Sequence, residues 1–151
     1  MNKLRLTLII IVILVIIVHF SFKQPTPESD DPFIGPENAE LTIVEFGDYF
    51  CPATKQFYTL RFKELRESYP QVKWVYRDFP IGLDIAAQAS NCAPDFWEFH
   101  EKLMTNFNLS RERLIELSDN NQDFIECLDS EKFKDEVNRL LLNLHKIRLK
   151  F

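Results

Sequence analysis

The chain has 151 residues and a formal net charge of −5, from 18 Lys and Arg against 23 Asp and Glu. Residues 1–23 hold three of the basic residues and none of the acidic ones, so residues 24–151 carry 15 basic and 23 acidic residues, a net charge of −8. That charge argues against a nucleic-acid partner, because phosphate backbones are bound by basic surfaces. The 14 Phe therefore predict core packing rather than base stacking.

The first segment of the chain is apolar. Residues 6–22 form a run of 17 residues without a formal charge, preceded by Lys3 and Arg5 and followed by Lys23. Its length is at the short end of the range for a transmembrane helix. The rival interpretation, a cleaved signal peptide, needs small residues before its cleavage site. No Ala occurs in this region, so we expect an uncleaved signal anchor over 6–22. The flanking charges predict a single-pass membrane protein with residues 1–5 cytoplasmic and the following domain periplasmic or extracellular.

A Pro-rich stretch follows the apolar run. Residues 23–38 contain four Pro together with Glu28, Asp30 and Asp31. This composition predicts an extended, solvated linker. The folded domain is then expected over residues 39–151.

A strand–helix–strand unit opens the domain. Residues 41–46 mix β-branched and aromatic residues and are bounded by Gly47, which predicts a strand. Pro52 fits the first position of a helix that should end near Ser68. Residues 72–76 predict a second strand, parallel to the first through a right-handed crossover.

After the second strand the pattern is helical throughout. Capping residues and apolar periodicity predict helices over 85–92, after Pro94, after Ser110 and near 124–128, and a longer last helix after Ser130. The predicted fold class is therefore α/β, with two parallel strands and five or six helices. A two-stranded parallel sheet leaves its edges unpaired, so we expect self-association through an open sheet edge.

The motif Cys51-Pro52-Ala53-Thr54 lies where the first strand passes into the first helix. A thiol at a helix N-terminus is stabilised as thiolate by the helix dipole, and an ionised Asp48 close by would oppose that effect. The alternative is that Cys51 is a small buried hydrophobe. Thr54 stands where a Cys-x-x-Cys motif has its second thiol, so an adduct at Cys51 would need another thiol to release it.

Several further segments carry a family resemblance. In chain order they are Ile34-Gly35 with Asn38-Ala39, Val44 to Pro52, Tyr76 to Pro80, Ala86 to His100, and Phe124 to Leu128. Together they resemble the DsbA-like thioredoxin-fold family over residues 33–147. The resemblance implies a thioredoxin-like fold with a helical insertion over about 84–130. It also implies protein thiol–disulfide exchange with Cys51 as the nucleophile, protein thiols or disulfides as partners, and no cofactor.

The other two cysteines lie in the region that resembles the helical insertion. By resemblance, Cys92 and Cys127 form a structural disulfide, and an odd count of three cysteines leaves one thiol free in an oxidising compartment. Two alternatives stay open: Cys92 and Cys127 as separate buried thiols, or a disulfide between Cys51 and Cys92 that would inactivate the nucleophile.

The chain departs from the family at two places. Thr54 replaces the resolving cysteine, so exchange would be monothiol at best. No Pro follows Pro94, whereas the family has a cis-proline loop and two antiparallel strands after its insertion. The resemblance therefore implies an incomplete thioredoxin-like fold, a βαβ unit with a helical insertion and one long helix but without the C-terminal β-hairpin.

Three hypotheses on function follow. The first is a membrane-anchored extracytoplasmic exchange protein acting through Cys51, with an external thiol completing the reaction. The second is a redox-inactive binding or scaffold domain, and the third is a truncated gene product without its own activity. No metal site is expected, because His100 is a single His on an apolar helix face without Cys or Asp at ligand spacing.

Overall fold

A computed structural model describes residues 31–82 and 84–139, together with Val12. The predicted anchor over 6–22 lies outside the described residues apart from Val12, and the predicted last helix lies within them only up to residue 139. Among the described residues, no helix combines the length and the apolar character that crossing a bilayer requires.

A three-stranded sheet forms the base of the domain. Its strands are β1 (Phe33–Ile34), β2 (Thr42–Gly47) and β3 (Lys73–Asp78), in the spatial order β1-β3-β2. β2 and β3 are parallel, as the sequence predicts, and pair in register along their full lengths. β1 is antiparallel to β3, with Phe33 opposite Val75.

β1 corrects the prediction of a two-stranded sheet and lies in the segment that the composition predicts as a linker. A segment of two residues is too short to show the period-two pattern of a strand, so the sequence does not predict β1. The strand forms because contacts attach it to its neighbours. Tyr76 N–H donates to Pro32 O at 3.0 Å, and Trp97 Nε1 donates to Phe33 O at 2.9 Å. A buried ion pair between Arg77 and Asp31 adds a third attachment. β1 therefore covers one edge of β3.

The outer edge of β2 is different. Within residues 31–82 and 84–139, no strand pairs with it. Its side chains are exposed or half-buried up to Phe46, and only Gly47 is fully buried. The two edges of the sheet are therefore unequal.

One helical segment connects β2 to β3. It consists of α1 (Pro52–Phe57), a π-helical turn (Tyr58–Phe62) and α2 (Lys63–Ser68), which agrees with the predicted helix ending near Ser68. Phe62 is buried and Tyr58 is half-buried, as expected for the apolar face. The apolar spacing predicts Tyr69 on the same face, but it lies beyond the last helical residue and is 49% exposed.

Between β3 and residue 130, four helices form the insertion that the sequence predicts. They are α3 (Ile85–Cys92), α4 (Phe96–Thr105), α5 (Arg111–Leu117) and α6 (Gln122–Asp129). Side-chain caps begin three of them: Asp95, Ser110 and Asn121 each accept a backbone N–H three residues later. Residues 134–139 begin the next helix. Ser130 does not cap it as predicted, because Ser130 ends α6 and its hydroxyl donates to Cys127 O at 2.8 Å.

The main core lies between the sheet and the insertion. It joins Tyr49 and Tyr76 from the strand ends with Phe99, Leu103 and Phe124 from the helices. A smaller cluster of Phe62, Val72 and Trp74 lies between the helical segment and the sheet. This packing holds the end of β2, and therefore the start of α1, against the insertion.

Gly47 is required at the junction of the sheet and the core. A Cβ at this position would come within 2.5 to 2.8 Å of the Tyr76 ring and hydroxyl. The close approach places the Tyr76 side chain directly under the turn that leads to Cys51.

Candidate functional site

Cys51 lies between the end of β2 and the start of α1. It is the N-cap residue of α1 with an extended backbone, and Pro52 follows at the first helical position. The Cys51 N–H donates to Asp48 O at 3.0 Å, and the Cys51 carbonyl accepts from Lys55 N–H at 3.2 Å. The thiol is free and partly exposed. This position excludes the alternative of a buried hydrophobe.

The Asp48 carboxylate fixes the turn before the thiol. Its Oδ1 accepts from Phe50 N–H at 2.8 Å, and its Oδ2 accepts from Ile81 N–H at 3.1 Å. One side chain therefore joins the loop after β2 to the loop after β3. Asp48 is 8% exposed, so its role in this structure is to hold backbone.

Hydrogen bonds lower the pKa of the Cys51 thiol below its ordinary value. The largest contributions come from the backbone N–H groups of Thr54 and Ala53, followed by the Thr54 hydroxyl. Burial and the negative charge of Asp48 oppose the shift, but they are smaller. The site therefore favours the thiolate, which is the nucleophilic form of cysteine.

Thr54 has a role that the sequence did not suggest. Its position predicts only the loss of a resolving thiol, whereas its hydroxyl is one of the groups that lower the pKa of the Cys51 thiol. The Asp48 N–H lies 3.5 Å from Thr54 Oγ1 and occupies an acceptor position of that hydroxyl. A hydroxyl that accepts a hydrogen bond from a backbone N–H still has its own hydrogen, which it can donate to the Cys51 sulfur.

Lys55 is a second residue that sequence reasoning missed. Only 5% of it is exposed, and its Nζ donates to the carbonyls of Leu103 and Asn106, each at 2.5 Å. Burial lowers the pKa of Lys55 to about 8, although the charge of Asp48 opposes this. A lone Lys in a helix gives no signal of burial, because its partners are main-chain groups about 50 residues away.

A cluster of buried rings lies beneath the thiol-bearing turn. The Tyr49 hydroxyl and His100 Nδ1 are hydrogen-bonded at 2.8 Å, and the Tyr76 ring lies 4.5 Å from the imidazole. Burial, with a smaller effect of Lys55, lowers the pKa of His100 to about 3, so the ring is neutral. His100 is fully buried, in agreement with the prediction of a core histidine.

Two carboxyl groups near this cluster have raised pKa values. Burial raises the pKa of Asp78 to about 7, partly offset by a hydrogen bond from Asn91. Burial also raises the pKa of Glu45 to about 7. Within the described part of the chain, no group of three or more His, Cys, Asp or Glu side chains is placed to hold a metal ion.

Cys92 and Cys127 are joined in a disulfide that connects α3 to α6, with 5.8 Å between their Cα atoms. This is the pair that the family resemblance suggests, and it leaves Cys51 as the free thiol. Neither alternative, two separate thiols or a disulfide between Cys51 and Cys92, is present in this structure. The two sulfur sites are separate features of the fold.

Comparisons with known proteins agree with this arrangement. A protein-family model described as Thioredoxin matches residues 28–151. Disulfide bond formation protein D of Bacillus subtilis is 37% identical over 83 residues, which are 48% of this chain and 37% of that protein. The Na(+)/H(+) antiporter NhaA 1 of Salinispora arenicola is 32% identical over 80 residues, 48% of this chain and 12% of that protein. The chain therefore spans well under two thirds of the length of these relatives.

Solved structures show the same fold. Oxidised BdbD from Bacillus subtilis has a TM-score of 0.62 and 30% identity, over 72% of this chain and 71% of that one. The alpha-DsbA1 of Wolbachia pipientis has a TM-score of 0.70 and 19% identity, over 84% of this chain and 73% of that one. With the free thiol at the strand-to-helix junction and the four-helix insertion, these matches lead to one conclusion: the chain belongs to the DsbA-like thioredoxin-fold family.

Proposed function

We propose that the chain carries out monothiol–disulfide exchange on protein substrates through Cys51. The observation that supports this most directly is the set of hydrogen bonds from Ala53 and Thr54 that lowers the pKa of a partly exposed thiol. The Bacillus relative is named for disulfide bond formation, and the proposed activity is of that kind. Because Thr54 stands where a second thiol would be, Cys51 is the one thiol of the motif that can take part in the reaction.

The first step forms a mixed disulfide. The Cys51 thiolate attacks one sulfur of a substrate disulfide, the Cys51–substrate S–S bond forms, and the other substrate sulfur leaves as thiolate. Asp48 and Pro52 act by position, since they fix the turn and the helix start that present the sulfur. No external oxidant or reductant is needed, because one disulfide replaces another.

The second step releases Cys51. If another thiolate of the same substrate attacks the mixed disulfide, a new substrate disulfide forms and the Cys51 thiolate leaves. The net result is disulfide isomerisation without a change in redox state. If an external thiol attacks instead, it retains the substrate sulfur in a disulfide and Cys51 is again free.

The proposal includes attachment to the outer face of a membrane. It is supported by the apolar run over 6–22 and by the basic residues before it. A structural disulfide between Cys92 and Cys127 is also typical of proteins outside the cytoplasm. Membrane extraction with carbonate, combined with protease accessibility of spheroplasts, tests both parts, and a chain released by carbonate or digested only after lysis of the spheroplasts would contradict them.

Alkylation and trapping test the activity. We expect Cys51 to be alkylated in the full chain with a midpoint below the pKa of an ordinary cysteine thiol. We also expect it to form adducts with cellular proteins that reductant releases. Cys51→Ser should abolish both, while Cys92→Ala/Cys127→Ala should retain both. A thiol that titrates at or above the ordinary value, without adducts, would overturn the proposal.

A second candidate is a redox-inactive binding domain, which Thr54 at the resolving position favours. In this case Cys51→Ser would leave any cellular partner bound, since the association would not involve sulfur. Covalent adducts that disappear in Cys51→Ser contradict this candidate.

Self-association through the outer edge of β2 is a further part of the proposal. Its support is the absence of a pairing strand within the described residues, together with half-buried Ile43, Val44 and Phe46. Sedimentation over a range of concentrations tests it, and Val44→Lys should favour the monomer. A chain that stays monomeric throughout would remove this part without affecting the exchange chemistry.

A further inference from the structure

The direction of β1 determines at which end of the sheet the chain enters the domain. β2 and β3 are parallel and end at the same level, with Gly47 opposite Asp78, and the turn that carries Cys51 follows there. β1 is antiparallel to β3, so its first residue, Phe33, is the one nearer to that level. The chain before β1 therefore approaches the domain from the end where the thiol lies.

Polar contacts fix the chain at this end. Pro32 O accepts from Tyr76 N–H at 3.0 Å. The Asp31 carboxylate accepts from Arg77 Nε at 3.1 Å and forms an ion pair with the same guanidinium, and the two side chains are only 11% and 7% exposed. Separating such a pair leaves a buried charge without its partner, which is strongly unfavourable. The chain is therefore held to the domain from Asp31 onward.

The other end of β1 is fixed as well. Trp97 Nε1 donates to Phe33 O at 2.9 Å, and Lys73 Nζ lies 3.7 Å from the centre of the Phe33 ring. Gly35 has φ +105°, and a Cβ there would come within 2.3 Å of Val72 O, so the turn after β1 requires glycine. β1 is therefore part of the domain and not of the segment that leads to it.

The docked strand leaves a short segment between the apolar run and the domain. The run ends at residue 22, and residues 23–30, which we call the tether, lie between it and Asp31. Eight residues span at most about 29 Å whatever their conformation. A linker over 23–38 would span up to about 58 Å and would enter the domain at the start of β2, which is the end opposite Cys51.

Cys51 lies on the side of the domain to which the tether attaches. β3 alone separates β1 from β2, so the two outer strands are about 10 Å apart. Gln71 lies at the other end of the sheet, six residues before Arg77, which corresponds to about 20 Å of extended chain. Adding about 20 Å for the path from Asp31 to Cys51 gives the sulfur a reach of about 50 Å from the membrane.

We propose that Cys51 reacts at the membrane surface, and that its partners are polypeptides held in the same membrane with a disulfide or thiol within this reach. The inference rests on the proposed function, because it uses both the anchor over 6–22 and exchange through Cys51. Confinement of both partners to one thin layer raises their effective concentration without any new contact. The tether thus selects partners by their distance from the bilayer.

Energy transfer to the bilayer tests the orientation of the full chain. The chain is reconstituted in phosphatidylcholine vesicles that contain a lipid with an acceptor dye on its headgroup. The donor dye is attached to Cys51 or, in the matched variant Cys51→Ser/Gln71→Cys, to residue 71, which is exposed. The disulfide between Cys92 and Cys127 does not react with a thiol label. We expect transfer from residue 51 to exceed that from residue 71 at least about twofold, since about 20 Å separates the two ends.

Two insertions of one sequence test the docking of β1. A Gly-Ser segment of about 20 residues has an r.m.s. length of about 25 Å. Placed between Ser29 and Asp30 it lengthens the tether, so the difference between the two donor positions should largely disappear. Placed between Glu37 and Asn38, in the exposed turn after β1, it lies inside the domain and should leave both transfer efficiencies unchanged. Equal responses to the two insertions would show that β1 does not hold the chain.

Two peptides test the class of partner. Each has one cysteine carried as a mixed disulfide with thionitrobenzoate, and one of them also has two acyl chains that hold it on the vesicle. The Cys51 thiolate attacks the peptide sulfur, the Cys51–peptide bond forms and thionitrobenzoate leaves as a coloured thiolate. We expect the acylated peptide to react at least about tenfold faster, and the insertion before Asp30 to lower its rate about fivefold. The insertion after Glu37 should leave the rate with either peptide unchanged.

The outcomes separate this inference from the proposed function. Equal transfer from residues 51 and 71, or more transfer from residue 71, would overturn the inference while normal reaction of the soluble peptide leaves exchange intact. An acylated peptide that reacts no faster than the soluble one would overturn it as well. A chain that does not associate with vesicles would overturn the membrane part of the proposed function and the inference with it, and failure of both peptides to react would do the same for the exchange chemistry.

Discussion

The protein uses sulfur in opposite ways in two regions. At the start of α1, Cys51 is free, partly exposed and supplied with hydrogen-bond donors that stabilise its thiolate. In the insertion, Cys92 and Cys127 are joined to each other and connect α3 to α6. The first region keeps a thiol free, and the second keeps the surrounding helices in place.

Helix position explains part of this difference. Cys51 precedes a helix, where unpaired N–H groups of the first turn can donate to a thiolate. Cys92 is the last residue of α3 and Cys127 lies inside α6, so neither has free first-turn donors. A cysteine at a helix start is therefore disposed to react, whereas two cysteines on packed helices are disposed to pair.

The largest expected effect comes from giving the first region a second thiol. In Thr54→Cys, we expect the introduced thiol to attack the Cys51 sulfur of a mixed disulfide, close an internal disulfide with Cys51 and release the substrate as thiolate. An intramolecular thiol has a high effective concentration, so release should be faster by about 1000-fold or more without external thiol. Acid quenching and mass spectrometry measure the adduct lifetime.

Thr54→Ser is the control for this experiment, because it keeps a hydroxyl and adds no thiol. Its adducts should last as long as those of the unmodified chain. If adducts of Thr54→Cys were equally long-lived, the site would not place residue 54 within reach of the mixed disulfide.

Removing the disulfide of the second region should affect stability and not reactivity. We expect Cys92→Ala/Cys127→Ala to lose about 3–4 kcal/mol of unfolding free energy, since the bond closes a loop of 35 residues. Denaturant titration measures this loss. The alkylation rate of Cys51 should stay the same below the transition, and Cys51→Ala should change stability by less than about 0.5 kcal/mol. A large change in Cys51 reactivity would show that the two regions are coupled.

Asp78 tests the contact between the sheet and the insertion, since it ends β3 and accepts a hydrogen bond from Asn91 in α3. Its pKa is raised to about 7 from 3.8, so its protonated form stabilises the fold at low pH. This contribution is fully present below pH 3.8 and is lost as the pH rises through about 7.

We therefore subtract the melting temperature of the unmodified chain from that of Asp78→Asn. This difference should be larger at pH 8 than at pH 5. The relative change should be at least about 4 °C, equivalent to about 1 kcal/mol. Asp129→Asn is the control, because the Asp129 side chain is half exposed and its carboxylate pairs with Arg111 at the surface. An equal difference at both pH values would show that Asp78 is ionised in the fold throughout this range.

The smallest expected effect concerns the Thr54 hydroxyl. Thr54→Val removes the hydroxyl that helps to lower the pKa of the Cys51 thiol and keeps the shape of the side chain, so the pKa of Cys51 should rise. The pH dependence of alkylation measures it. Thr59→Val is the matched control, since the Thr59 hydroxyl donates to Lys55 O one turn further along. An unchanged midpoint in Thr54→Val would assign the whole effect to the backbone N–H groups.

Local sequence patterns predicted most of the secondary structure. The strand before Gly47, the helix between Pro52 and Ser68, and the start of α5 after Ser110 follow from propensity, capping and periodicity, which act over a few residues. The family membership also came from the sequence, because several segments match in order. β1 did not, since two residues of strand carry no periodic signal.

The candidate site also has features that the sequence predicted and features that only the structure showed. The sequence identified Cys51, Pro52 and Thr54, and the helix start at Pro52 was enough to expect a stabilised thiolate. It gave no indication that the Thr54 hydroxyl helps to lower the pKa of the thiol, because that effect depends on the turn held by Asp48. It also missed Lys55, whose acceptors lie at the end of α4.

The sequence by itself therefore determined where the thiol lies, which elements flank it and which family the chain belongs to. These follow from the order of residues along short segments. The tertiary structure alone decided how Lys55 joins the helix to the insertion and how β1 covers the sheet. Those features depend on contacts between residues about 40 to 65 positions apart, and no local pattern specifies which distant groups will meet when apolar surface is buried.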